Sequence, residues 1–284
     1  MLSDSAANEL KPFLESLVRG CDPDEVDNDP VGLVRDYDSN EDRELVALLA
    51  SGLAYGQVSQ IRRSVREALS PFGSQPSRKI SSLEPAEISS LLDGWYYRMT
   101  RKEDLVDLFV AVVALRKSFG SLEKAYLAST GTHVERASSW VGLLRANRHH
   151  DELSRGFRYL IADPGLGGVT KRLHLFFRWM IRPDDGVDLG LWQKVPTDVL
   201  VMPLDTHTAR ICRYLGLTDR KTNDLKSAVE ITESLKLMDP NDPLRFDFAI
   251  CHLGISKGCV HKRTLEHCPS CPINDVCTLA WSIG

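Results

Sequence analysis

Apolar residues recur every three or four positions through most of this chain, and strand-like alternation is scarce. The stretch from Glu44 to Leu69 reads as one or two helices. Helical periodicity returns over 104–117, 122–127, 133–144 and 170–181, and again over 207–215, 223–237 and 243–253. Two punctuation marks separate the last pair: Pro240 ends one helix, and Asp242-Pro243 caps and starts the next. No repeat of fixed period and no low-complexity segment interrupts the pattern. The loops 71–77 and 183–195 are the natural boundaries. The expectation is an all-α protein.

Composition narrows the picture modestly. The chain has 284 residues, 43% hydrophobic and 26% charged, with a formal net charge of −4. That describes a soluble globular protein of one large or two modest domains. The start, Met1 to Ala6, carries no basic segment followed by an apolar core, so a cytoplasmic location is expected. The longest apolar stretch, Leu105 to Leu115, is broken by Asp107 and is too short to span a bilayer, so no membrane partner is expected. The negative balance leaves room for nucleic-acid binding through a local basic patch.

Chemistry concentrates near the C-terminus. Cys259, Cys268, Cys271 and Cys277 are separated by eight, two and five residues. Four thiolates so close together suit a tetrahedral zinc or a cubane iron–sulfur cluster, and spacing alone does not choose between them. Either would staple a tail too short to build its own core. Cys21, Cys212 and Cys251 read as small buried apolar residues.

Two upstream stretches carry further candidates. In Pro203-Leu204-Asp205-Thr206-His207, the Asp-Thr pair precedes an amphipathic run and signals a helix N-cap. In the second, Lys171 opens a strongly apolar helix that continues to Met180. A helix N-terminus disfavours a charged lysine and would help to depress its pKa, which is what a nucleophilic amine needs. The glycine-rich run Gly165 to Gly168 just before it offers backbone N–H groups to a phosphate, an ordinary interhelical turn being the alternative.

Together these residues resemble the helix-hairpin-helix DNA glycosylases, particularly the endonuclease III and adenine-mismatch branch. The likeness rests on Leu204-Asp205-Thr206-His207, on Leu215-Gly216 closing the following helix, and on Ala249 to Gly254 leading into the four cysteines. It spans roughly residues 198–280. The chain also resembles a bacterial family described only as a domain of unknown function, through Phe-x-Arg-Trp-Met at 176–180 and Pro-Leu-Asp-Thr-His at 203–207. Departures from the glycosylase pattern are clear. The first cysteine gap is longer, the lysine falls four residues after Gly167, and Ala54 stands where an intercalating glutamine belongs.

The glycosylase resemblance implies a two-lobed fold with a C-terminal cluster loop. Residues 45–183 would form a helical bundle carrying the hairpin, and 184–284 a cluster lobe on which the segment 1–44 packs. It implies a [4Fe-4S] cluster on Cys259, Cys268, Cys271 and Cys277, with zinc as the alternative. The expected activity is base excision from DNA by a monomer. Asp205 would stabilise the sugar cation, and Lys171 would add an AP-lyase step. DNA contacts are expected from Gly165, Gly167, Gly168, Lys257, His261, Lys262 and Arg263. Trp192 in the insert 184–192, with Tyr55 and Gln57, would serve an extruded base, the insert lying near the mouth of the site. Among the other aromatics, Trp95, Tyr96, Tyr97 and Trp179, most are expected in the core, as are His174 and His252. Two further readings compete: a nucleic-acid-binding relative without catalysis, and a zinc-stapled helical interaction protein.

Overall fold

The computed structural model describes residues 2–21, 23–255, 259 and 262–279. Helices dominate them. In chain order come α1 (Asp4–Arg19), α2 (Pro23–Asn28), α3 (Asn40–Gly52), α4 (Val58–Leu69), α5 (Pro76–Ser81) and α6 (Pro85–Leu91). A two-stranded hairpin, β1 (Tyr96–Tyr97) and β2 (Thr100–Arg101), leads into α7 (Lys102–Phe119). Then follow α8 (Leu122–Leu127), α9 (His133–Ala146), α10 (Arg155–Leu160) and α11 (Lys171–Ile181). The chain continues through α12 (Thr206–Tyr214), α13 (Leu225–Lys236) and α14 (Asp247–Ile255). The mostly helical architecture agrees with the all-α expectation. The 44–69 stretch is two helices, and 243–253 divides into a 3₁₀ turn at Pro243–Phe246 followed by α14. Among the described residues, no helix is long and apolar enough to cross a membrane.

Local chemistry explains the helix starts. Ser3, Ser39, Ser121 and Ser154 each accept a backbone N–H two or three residues into the following helix. Thr132 and Glu135 form a reciprocal capping box at α9. Asp205 caps α12, with Thr208 N–H donating to its Oδ1 at 2.8 Å.

The chain divides into two compact units along lines that differ from the expected boundaries. One comprises 1–22, 167–174 and 196–284; the other comprises 23–166 and 175–195. The segment 23–44, expected with the cysteine-bearing part, belongs to the helical unit instead. Arg62 of α4 donates to the carbonyls of Asp27 and Asp29 at 2.6 and 2.7 Å, and the 3₁₀ turn Pro30–Asp36 buries Val31, Leu33 and Val34.

The insert after α11 is also part of the helical unit. Asp188 is fully buried between Arg178, at 3.0 Å, and Arg182. Leu189 and Trp192 donate backbone N–H bonds to the carbonyls of Trp179 and Met180 at 2.9 and 2.7 Å. Trp192 packs among Tyr126, Trp140, Phe176 and Phe177, with ring centroids 5.6–6.2 Å apart. Its indole donates to Glu44 Oε1 at 2.6 Å, and Glu44 in turn pairs with Arg116 at 3.0 Å. Aromatic contacts of this kind add about 0.5–1.5 kcal/mol each beyond area burial. The expectation that the insert presents a stacking tryptophan is therefore corrected: Trp192 is 1% exposed and is a core residue.

Candidate active site

Lys171 and Asp205, 34 positions apart in sequence, meet within one unit. Lys171 Nζ donates to Asp205 Oδ2 at 2.6 Å. The carboxylate divides its two oxygens. Oδ1 accepts the Thr208 amide that starts α12, and Oδ2 holds the lysine. Cap and ion-pair partner are thus the same side chain. The approach to the lysine is strained: Thr170 adopts φ +33°, a left-handed conformation rare for a β-branched residue and costing about 1–3 kcal/mol. Its carbonyl accepts the N–H groups of Leu173 and His174, so this strained residue sets the first turn of α11.

Both members of the pair are partly open, with 28% and 25% of their side chains exposed. Burial pushes the Lys171 amine down, but the Asp205 carboxylate outweighs it, helped by Cys251 and Asp247, and the net displacement is upward. The helix N-terminus therefore does not govern this lysine, contrary to the expectation of a depressed value. A carboxylate 2.6 Å away outcompetes the partial charge of a helix end. Burial raises Asp205, but Lys171 and the Thr208 amide hold it below its ordinary value. At neutral pH the site is an ammonium–carboxylate pair.

Helix α14 packs against α12 and brings Cys251 and Asp247 within electrostatic reach of Lys171. Burial pushes the Cys251 thiol up to about 12, with Lys171 pulling in the opposite direction, and it stays protonated at neutral pH. His174, one turn after Lys171, is fully buried, and burial lowers it to about 4. The sequence pattern marked Cys251 and His174 as core, and gave no signal that Cys251 and Asp247 would act on the lysine.

The hairpin glycines differ from one another. Gly165 N–H donates to Asp163 Oδ1 at 2.8 Å, and Ser138 donates to the same oxygen at 2.7 Å. A Cβ at Gly165 would lie 2.5 Å from Ser138 Oγ. Close packing explains this glycine, and its amide is already engaged, so the expected phosphate contact is corrected. Gly167 takes φ +79° with open space beside it, and its carbonyl accepts Leu225 N–H at 3.3 Å, while a Cβ at Gly168 would meet Thr170 Cγ2 at 4.0 Å.

The four cysteines border one cavity of about 40 Å³, shared with Tyr214, Lys262, Arg263 and His267. Thr264 N–H points at Cys268 Sγ at 3.3 Å. Among the described residues, no three Cys, His, Asp or Glu side chains converge closely enough to hold a metal ion. The donor set of four thiols bordering one cavity nonetheless fits a thiophilic metal or cluster chemically. Arg263 is an internal tie of this loop: it donates to Leu279 O at 2.9 Å, Asn274 Oδ1 at 2.5 Å, Asn274 O at 2.8 Å and Cys277 O at 3.0 Å. Its expected role as a phosphate ligand is corrected accordingly, because those donors are occupied. Lys262 is exposed. Lys257 and His261 lie outside the described residues.

The loop is fastened to α12. Thr278 donates its N–H and its hydroxyl to the Tyr214 carbonyl at 2.7 and 3.0 Å. Asp205 begins the helix that Tyr214 ends, so one nine-residue helix, roughly 13 Å long, connects the lysine–aspartate pair to the cysteine loop.

The residues expected near an extruded base are otherwise employed or simply exposed. Tyr55 bonds through its hydroxyl to Tyr97 O and Thr100 Oγ1 at 3.2 and 3.1 Å. Gln57 is exposed ahead of α4 and makes no side-chain cap. Trp179 is fully buried, Tyr97 is 6% exposed, and Trp95 donates to Ser64 O at 3.1 Å. Tyr96, at 71% exposure, is the one of these aromatics that faces solvent.

No curated protein matches this chain. The family described as "Protein of unknown function (DUF2400)" matches it over residues 29–256, a span that contains both Lys171 and Asp205, and the chain belongs to that family.

Proposed function

We propose that this protein is a DNA base-excision glycosylase with an associated AP-lyase step, acting through Lys171 and Asp205. The observation that carries this reading is the 2.6 Å contact between a lysine at a helix start and a capping aspartate 34 residues away. Loss of a base leaves positive charge on the sugar, and an ionised carboxylate stabilises it. Asp205, held ionised by its partners, suits that role. The base must first be extruded from the duplex to reach it.

Lys171 acts after losing its proton. Its nitrogen lone pair forms a bond to C1′ as the C1′–base bond breaks, and the bonding pair leaves with the base, which takes up a proton. The nitrogen, positively charged by that bond, loses a proton, and its lone pair then opens the C1′–O4′ bond to give the protonated imine, O4′ taking up a proton. Removal of a C2′ proton then expels the 3′ phosphate and cuts the strand. With the lysine idle, Asp205 would orient a water and the outcome would be base removal alone.

Cys259, Cys268, Cys271 and Cys277 would hold a [4Fe-4S] cluster, zinc being the alternative. The group would supply structure: it would fix a loop anchored to the end of α12 and so steady Asp205 at its start.

The test is release of free base from duplexes bearing single damaged or modified bases, with wild type run beside Asp205→Asn and Lys171→Ala. The reading expects release that is lost in Asp205→Asn, and strand nicking that is lost in Lys171→Ala. Undiminished release by Asp205→Asn would overturn the assignment. Iron and sulfide analysis of anaerobically purified protein tests the cluster, and stoichiometric zinc in place of iron would replace it.

A further inference from the structure

A second charged feature lies in the helical unit, on the β1–β2 hairpin. The strands pair Tyr96 with Arg101 and Tyr97 with Thr100. Residues directly opposite in an antiparallel pair project to the same face. Tyr97 and Thr100 are buried at 6% and 0%, so the other pair, Tyr96 and Arg101, must face solvent, and both are exposed.

The turn between the strands is built with unusual residues. Arg98 takes φ +54° where glycine or asparagine is the usual choice. Its guanidinium is held above Gly56: a Cβ there would lie 2.6 Å from Arg98 Nη2. It also sits 6.0 and 5.8 Å from the ring centroids of Tyr55 and Tyr97. The hairpin is fastened from below. Asp104, 3% exposed, accepts Arg101 N–H at 2.7 Å and the Ser154 hydroxyl. A Cβ at Gly156 would lie 2.1 Å from Asp104 Oδ2 and 2.8 Å from Met99 O, so the start of α10 packs directly on the turn.

This frame surrounds an open groove of about 580 Å³ lined by Arg98, Arg101 and Arg155, with Glu103 as its exposed carboxylate. All three arginines are exposed, and none forms an ion pair among the described residues. A rigid platform that brings three exposed arginines to one groove, against Glu103 and the engaged Asp104, offers an anion several charged donors in one place.

We propose that this groove binds the phosphodiester backbone of nucleic acid, with Tyr96 offering its face to an unpaired base. The guanidinium forks match phosphate oxygens. An exposed aromatic beside them is the pairing by which strands are held without sequence readout. The inference rests on the proposed nucleic-acid substrate. It adds a contact made by the helical unit, separate from the glycine hairpin and the cysteine loop.

The test is the salt dependence of binding to a labelled duplex and to a labelled oligothymidylate, measured for the full chain. Arg98→Gln/Arg101→Gln/Arg155→Gln is compared with wild type and with Arg63→Gln/Lys79→Gln as a control. Duplex binding loses about 0.9 in the slope of log K against log salt for each phosphate contact removed, and single strands about 0.7. The expected result is a slope lower by about 2 to 3 in the triple variant and unchanged in the control. Arg155→Glu keeps the test usable if the triple variant does not fold, because a carboxylate favours the first turn of α10. It should lower the slope by about 1 or more. Equal slopes in groove variants and wild type overturn the proposal, as does arginine-dependent binding of an acidic peptide or anionic vesicles with no oligonucleotide bound. Base release measured on the same samples separates the two ideas. Release without a groove effect refutes the groove alone, and a groove effect without release refutes the glycosylase reading alone.

Discussion

Replacing Asp205 by asparagine should move two activities in opposite directions. Asparagine caps a helix about as well as aspartate, so the Thr208 amide keeps its acceptor and α12 its start. What disappears is one negative charge 2.6 Å from the Lys171 ammonium. Coulomb's law gives about 1.6 kcal/mol for that contact at the dielectric of water, and several times more at the lower effective values of a protein interior. With both side chains about a quarter exposed, the smaller figure applies. It corresponds to roughly tenfold more uncharged amine at a given neutral pH.

Base release from an intact nucleotide should therefore fall by about 10²–10³, the usual cost of removing an electrostatic stabiliser of the transition state. Imine formation on a preformed abasic site should rise about tenfold, because it needs the free amine and no cation to stabilise. Borohydride trapping under single-turnover conditions, followed from neutral to alkaline pH, measures the second activity. The sign is fixed by the pair. The raised Lys171 favours the folded pair below the ordinary lysine value of 10.5, and that contribution fades as pH climbs through the folded value. The lowered Asp205 contributes above 3.8 and is lost as pH falls through its folded value. Wild-type trapping should accordingly climb with pH, and the Asp205→Asn curve should lie at lower pH. If trapping falls along with base release, or if Lys171→Ala traps as well as wild type, the lysine is not the nucleophile.

Other consequences follow from single contacts. Trp192→Ala should cost about 3–5 kcal/mol in denaturant unfolding, as a fully buried aromatic does, and a normal midpoint would return Trp192 to the list of pocket candidates. His174, neutral down to about 4 in the fold, should destabilise the protein by up to about 3 kcal/mol as pH falls from 6.5 toward 4, because the unfolded chain takes up the proton first. His174→Gln should flatten that part of the stability profile, and an unchanged profile would assign the acid sensitivity elsewhere. Lys262→Ala should reduce the salt slope of DNA binding by about 0.9 with stability intact, whereas Arg263→Ala should chiefly loosen the loop, seen as faster amide exchange over 274–279. The reverse pattern would make Arg263 the phosphate ligand.

The helices were legible because their cores repeat with the helical period, and α7, α9 and α11 fall close to where the apolar residues put them. Of the short helices, α8 was legible because Leu122, Ala125 and Tyr126 fall at helical spacing, whereas α5 and α6 bury a single large aliphatic each, Ile80 and Ile88, and with α10 they escaped. The hairpin escaped for a related reason: two-residue strands have no alternation to read, and its turn carries Arg98 in place of the glycine that would have announced it. The insert misled because it lacks helical spacing. A tryptophan outside a periodic pattern resembles a surface residue, yet here backbone bonds to Trp179 and Met180 fold it into the aromatic core.

Asp205 shows why a site can be named from sequence while its working remains hidden. A cap and a catalytic carboxylate demand the same residue before the same kind of helix, so the pattern Asp-Thr-His supports either. In the fold the two demands are compatible, because one oxygen serves the Thr208 amide and the other holds Lys171. Capping then becomes a positioning device. The amide fixes the carboxylate's orientation, the helix fixes the amide, and the cysteine loop holds the far end of that helix through Thr278 and Tyr214. None of the distances in that chain of support is encoded at one position. A change in the cysteine loop, about two and a half helical turns away, should reach Asp205 through α12 without touching it.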